Sequence, residues 1–221
     1  MQLILRSIAT YALARLSLSI LTLFAALVVA NAAELTNQFV QANLAYGATI
    51  QIPRAWKVAR GNEMRAIETT VGAALDLSGM ARAAEGTESL LFAKLDDPRL
   101  YASVGVTVVA IKNSTPRSLS DLTAMEIKAG ESSVRQGIES MLARLGSTVS
   151  AWTPLEKVLL GDTSALHMSY LRSSDAGERR VHIYKVFGTG RVYDVIVSTS
   201  LVHEDMNSIV LNRVASSFKV Q

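Results

Sequence analysis

Four strand-like runs in the last third of the chain are joined by links that only antiparallel neighbours can share. The runs are Leu155–Leu160, Ser164–Arg172, Arg179–Phe187 and Arg191–Ser200, rich in β-branched and aromatic residues. Between them stand Gly161-Asp162, Asp175-Ala176-Gly177-Glu178 and Gly188-Thr189-Gly190. A parallel crossover needs about a dozen residues or more, so the runs form a meander. Its strands are apolar on both faces: Val181, Ile183 and Phe187 alternate with Tyr184 and Val186. Such a sheet requires cover on both sides.

Helical patterns elsewhere can supply that cover. After Asn62, an N-cap residue type, Met64, Ile67, Val71, Ala74 and Leu75 recur at helical spacing up to Ser78-Gly79. A longer helix is expected over Leu119–Leu145, opened by a Ser118/Asp121 capping box and stopped by Gly146. Val134, Ile138, Met141, Leu142 and Leu145 give it an apolar face, while Gly130 and Gly137 weaken it. A last helix, Val202–Ser216, is expected to turn Met206, Ile209, Val210 and Val214 inward. Two further strands, Ser89–Leu95 and Ala102–Ile111, flank the turn Asp96-Asp97-Pro98, and Ala81–Glu88 reads as a loop.

The first residues carry an address. Arg6 and Arg15 are basic, no acidic residue precedes Glu34, and Leu16–Ala30 is apolar and ends in the small-x-small signature Ala30-Asn31-Ala32. This is the pattern of a secretory signal cut between Ala32 and Ala33. The alternative is an uncleaved anchor, the chain's only expected route to a membrane, since Leu16–Ala33 is uncharged. The expected organisation is a signal peptide over 1–32, a lead-in over 33–46 that is a short helix or mobile, and one domain over 47–221. Without cysteine the chain must fold by packing alone, and thiol lipidation and redox chemistry are excluded. Loss of Arg6 and Arg15 leaves 20 basic against 19 acidic residues, a net of +1, so the charge does not argue for nucleic acid.

Thr49–Val58 holds an alternating strand closed by Pro53, with the large aromatic Trp56 three residues later. Ile52-Pro53 followed by Trp56, the long middle helix before the meander, and the terminal Ser217-Phe218-Lys219-Val220 together resemble the PsbP-like group, whose fold is shared with the Mog1 proteins. The resemblance spans nearly all of the chain after the signal. It implies an α+β fold, an antiparallel β-sheet flanked by helices on both faces (an α/β/α sandwich). Members of that group include extrinsic subunits of photosystem II, and Mog1 binds a nuclear GTPase. The resemblance thus implies non-enzymatic binding and assembly factors, although no residue motif carries either role to this chain.

Catalytic and metal chemistry find little purchase. If Ala176-Gly177 is a two-residue loop, His167 pairs with Val186 and His182 with Leu171. The two imidazoles then lie roughly 13 Å apart at a strand's rise, too far to share an ion whose ligands stand about 2 Å from it. His203-Glu204-Asp205 are successive helix residues that cannot face one another. Gly188-Thr189-Gly190 precedes a strand, not the helix N-terminus that a phosphate loop requires. No motif for a cofactor or a nucleophile is present, although a hydrolase built from Ser, His and an acid that meet only in space stays open. Arg172, Arg179, Arg180, Lys185 and Arg191 cluster around the meander, either as a patch for an acidic partner or as a charged hairpin edge that blocks aggregation. Trp152 falls in an expected loop, as a contact anchor if exposed or a core plug if buried. The expectation is an exported, non-catalytic binding or assembly protein, periplasmic or secreted, with a protein partner in the cell envelope and no metal or cofactor. A small-ligand carrier or sensor, with a pocket between sheet and helix, is the first alternative and a hydrolase the second.

Overall fold

The computed structural model describes residues 39–59, 87–95, 97, 100–112, 114–115 and 118–220. The expected signal segment with Ala30, Ala32 and Ala33, and the expected helix Asn62–Ser78, lie outside the described residues. The described strands are β1 (Phe39–Asn43), β2 (Thr49–Pro53), β3 (Trp56–Val58), β4 (Thr87–Leu95), β5 (Ala102–Ala110), β6 (Thr148–Trp152), β7 (Glu156–Leu160), β8 (Thr163–Ser174), β9 (Gly177–Gly188) and β10 (Arg191–Ser200). The helices are α1 (Ser118–Asp121), α2 (Ala124–Arg144) and α3 (Glu204–Ser216).

Eight strands form one sheet in the order β3-β4-β5-β10-β9-β8-β6, with β7 also pairing β8. Its ladders are antiparallel. The meander is therefore real, and the twelve residues of β8 are long enough for β7 to pair one end and β6 the other. Leu166, Met168 and Tyr170 of β8 and Val181 and Ile183 of β9 share a face and cluster with Leu119 and Leu142. Leu122, Ile127, Val134, Ile138 and Met141 pack against that cluster. The alternate residues are buried as well: Val104, Val106, Val186, Val195 and Val197 are almost wholly inaccessible.

The N- and C-terminal motifs meet. Lys219 and Thr49 exchange two backbone hydrogen bonds of 2.9 Å, and the Gln51 amide donates to Ser217 Oγ at 2.8 Å. Phe218 is buried against Tyr193, with ring centroids 5.7 Å apart. Ile50 and Ile52 are buried beneath this seam, and Trp56 is a core residue of β3.

Several expectations change. Phe39–Asn43, part of the stretch read as helix or mobile lead-in, is a strand that pairs with β2. The long helix is broken at Leu122-Thr123, and the capping box sits one turn later than expected. Thr123 Oγ1 accepts from the Glu126 amide, and Glu126 Oε2 accepts from the Thr123 amide at 2.8 Å. A Glu three residues after the cap reaches back better than the shorter Asp121 can. Trp152 ends a strand instead of lying in a loop.

The β8–β9 hairpin turns on Asp175-Ala176, so Ser174 faces Gly177 and His167 faces Tyr184. A two-residue turn centred on Ala176-Gly177 would need positive φ at both positions for the common type I′ geometry. Only Gly177, at φ 96°, has it. The register expected for the histidines is accordingly shifted by two residues.

Candidate functional site

α3 is the element whose orientation differs most from expectation. Asn207 is buried and its Nδ2 donates to Thr199 Oγ1 at 2.9 Å, which fixes the helix's rotation on the sheet. Leu211, Val214 and Ala215 follow on the same side and are buried with it. At 3.6 residues per turn, positions 206 and 209 then fall opposite this line. Met206 and Ile209, expected inward, are 63% and 76% exposed, and Val202 in the preceding turn is 88% exposed. Met206 and Ile209, three residues apart on α3, form an apolar stripe on its outer face, and exposed Val202 precedes them in the 3₁₀ turn. Asp205 is exposed beside it, whereas Glu204 accepts from Arg180 Nε at 3.3 Å and so ties the first turn of α3 to β9.

A cavity of about 310 Å³ lies at the other end of α3, lined by Leu159, Leu160, His167, Tyr184, Asn212 and Ser216 among others. Leu159 is 76% exposed at its edge. Gly161, in the β7–β8 turn, has φ 59°, and a side chain there would collide with the Ser216 carbonyl, so glycine is required twice over.

The two-residue shift brings His167 and His182 together. His167 Nε2 and His182 Nδ1 are 3.1 Å apart, and His167 Nδ1 stands 3.6 Å from Glu156 Oε1. The expected separation of two strand-distant imidazoles is thus corrected. Burial pushes the His182 imidazole down to about 4, with His167 and Arg180 adding to the effect. No group of three or more His, Asp or Glu among the described residues is arranged to hold a metal ion. The only other histidine, His203, takes Ser200 Oγ on its Nδ1 at 3.1 Å, across one 3₁₀ turn. One pair thus joins Ser to His and the other joins an acid to His, and the described hydrogen bonds do not unite the three.

The five basic residues do not share one surface. Arg172, Arg179 and Lys185 lie on one face of the sheet, and Arg180 and Arg191 on the other. Each has a partner within the chain. Arg172 donates twice to Ser147 Oγ, Arg179 stacks on Tyr101 at 3.8 Å, and Arg191 stacks on Tyr46 at 4.1 Å. Lys185 donates to both Asp194 oxygens, at 2.7 and 2.9 Å. Trp152 is half-buried beside Tyr170, its Nε1 donates to Glu139, and Arg135 lies over its ring at 5.2 Å.

No protein-family model and no curated protein sequence matches the chain. Solved structures do. The solution structure of cyanobacterial PsbP (CyanoP) from Synechocystis sp. PCC 6803 superposes with a TM-score of 0.56 over 83% of this chain and 93% of that one, at 11% identity. The crystal structure of LpqN, involved in cell envelope biogenesis of Mycobacterium tuberculosis, aligns at 0.42 over 82% and 90%, with 13% identity, and at that score it carries no argument here. The chain has a PsbP-like fold.

Proposed function

We propose that this chain is an exported, non-catalytic binding or assembly protein that presents the outer face of α3 to a protein partner in the cell envelope. The observation that carries the reading is the exposed stripe Met206 and Ile209, with Val202 exposed in the turn before it, on a helix that the sheet already holds by its opposite side. With Asp205 at its edge, the stripe suits a partner that offers an apolar groove with a basic rim. In this reading 47–221 is one α/β/α sandwich with helices on both faces, supported by the two alternating sets of buried residues in β8–β10. Export rests on the basic start, the apolar run and the cut between Ala32 and Ala33. No helix among the described residues is long and apolar enough to cross a membrane.

The test is photo-crosslinking from position 206 in envelope preparations, with Ile209→Asp as the control. A partner band that Ile209→Asp weakens by about tenfold or more supports the reading. Crosslinks that Ile209→Asp leaves unchanged would refute it. A small-ligand carrier is the second reading, and the cavity beside Tyr184 and Asn212 favours it. A ligand screen read by thermal shift, abolished by Asn212→Trp at the exposed edge of the cavity, checks it.

A further inference from the structure

Glu156 of β7, His167 of β8 and His182 of β9 form a row that the proposed binding function leaves unused: the two imidazoles are hydrogen-bonded, and the Glu156 carboxylate stands 3.6 Å from His167 Nδ1, an ion-pair distance. The two imidazole centroids are 5.4 Å apart and the rings 13° from parallel, while the facing nitrogens are only 3.1 Å apart. The centroids are thus farther apart than the nitrogens by about a ring's width, so the rings meet edge to edge and point their nitrogens at each other. One hydrogen fits between them. Tyr184 covers the His167 ring at 4.7 Å.

The hydrogens can be assigned by donor and acceptor accounting. The Glu156 carboxylate, 3.6 Å from His167 Nδ1, is attracted by a hydrogen there and repelled by a lone pair, so His167 carries its hydrogen on Nδ1. A neutral His167 then offers only a lone pair at Nε2, so His182 must donate from its own Nδ1. Any added proton makes the hydrogen-bonded imidazole pair a cation, and Arg180 lies two residues before His182 on the same face of β9. Among the described residues, the charged or titratable groups around the row are Glu156 on β7, Arg180 and Tyr184 on β9 and Glu204 on α3. β10 places Val195, Val197 and Thr199 opposite Tyr184, His182 and Arg180, and none of these three titrates. Glu204 is already held by Arg180, so it does not neutralise a second cation without releasing the first.

We propose that the Glu156–His167–His182 row is a proton-operated switch on the seating of α3. In the neutral row the Arg180–Glu204 pair holds the first turn of the helix to β9. A proton taken up at His182 Nε2 gives the hydrogen-bonded pair of imidazoles a positive charge that repels Arg180 and loosens the Arg180–Glu204 pair.

Two measurements test this. Nitrogen-15 spectra at about pH 7.5 should show both His167 and His182 with hydrogen on Nδ1. Hydrogen exchange then follows Asn207–Leu211 of α3 against α2 as internal reference, as pH falls from about 7.5 to about 5. Corrected for intrinsic rates, α3 exchange should rise about threefold or more relative to α2 in the native chain, and not in His182→Gln. A ring with its hydrogen on Nε2, or an equal rise in His182→Gln, would overturn the proposal. The spectra need no variant, so they decide even if His182→Gln fails to fold.

Discussion

α2 and α3 both lie against the same sheet, yet they spend their apolar residues in opposite ways. α2 turns Leu142 into the cluster with Met168 and Ile183, with Ile138 and Met141 packed against it, and is fixed at its start by a reciprocal Thr123–Glu126 cap. α3 has no side-chain cap at His203 and is oriented by a polar residue, Asn207, bonded to Thr199. The apolar residues this leaves on the outside are Val202, Met206 and Ile209. Among the large apolar side chains of α2 only Met125, in its first turn, is left exposed; α3, held by a shorter line plus a buried amide, keeps a second face free.

That difference can be broken from either side. Leu142→Ala should cost about 2–5 kcal/mol in urea unfolding, because it empties a well-packed site. Asn207→Ala should cost about 1–3 kcal/mol, because it removes the amide from buried Thr199. The row beneath α3 gives a pH dependence that α2 lacks. The folded-state pKa of His182 is depressed to about 4 from 6.5. Above the unfolded value His182 is neutral in both states. Below it the unfolded chain binds a proton that the folded chain refuses, so stability falls with pH and levels off below about 4. Allowing for partial exposure, the loss is about 1–2 kcal/mol, read as the difference between the native chain and His182→Gln across that window. Thr123→Ala, which unmakes the cap of α2, should cost about 1 kcal/mol.

The meander was legible because glycines mark its turns, and because links of two to four residues admit only antiparallel neighbours. Its exact register was not, since register depends on which turn residue takes positive φ. Gly177 takes it from the closing position instead of from inside the loop. That single choice hid the contact between His167 and His182. The rotation of α3 was hidden by a competing pattern: Met206, Ile209, Val210 and Val214 form an apolar line, and Leu211, Val214 and Ala215 form another once Asn207 is admitted to the core, so of the expected set Val214 is buried while Met206 and Ile209 are exposed. Periodicity favours the wholly apolar line, and only the presence of Thr199 and the Tyr101 carbonyl as partners makes the buried amide acceptable. The basic residues were visible in the sequence, but strand alternation divides them between two faces, which a linear cluster does not reveal.

The most direct test of the outward face is urea unfolding of the double variant Met206→Asp/Ile209→Asp. Two carboxylates on a solvent-facing stripe should leave stability within about 0.5 kcal/mol of the native chain. A loss of several kcal/mol, comparable to Leu142→Ala, would mean that the stripe is packed in the folded protein, and the account of α3 as a binding surface would fail.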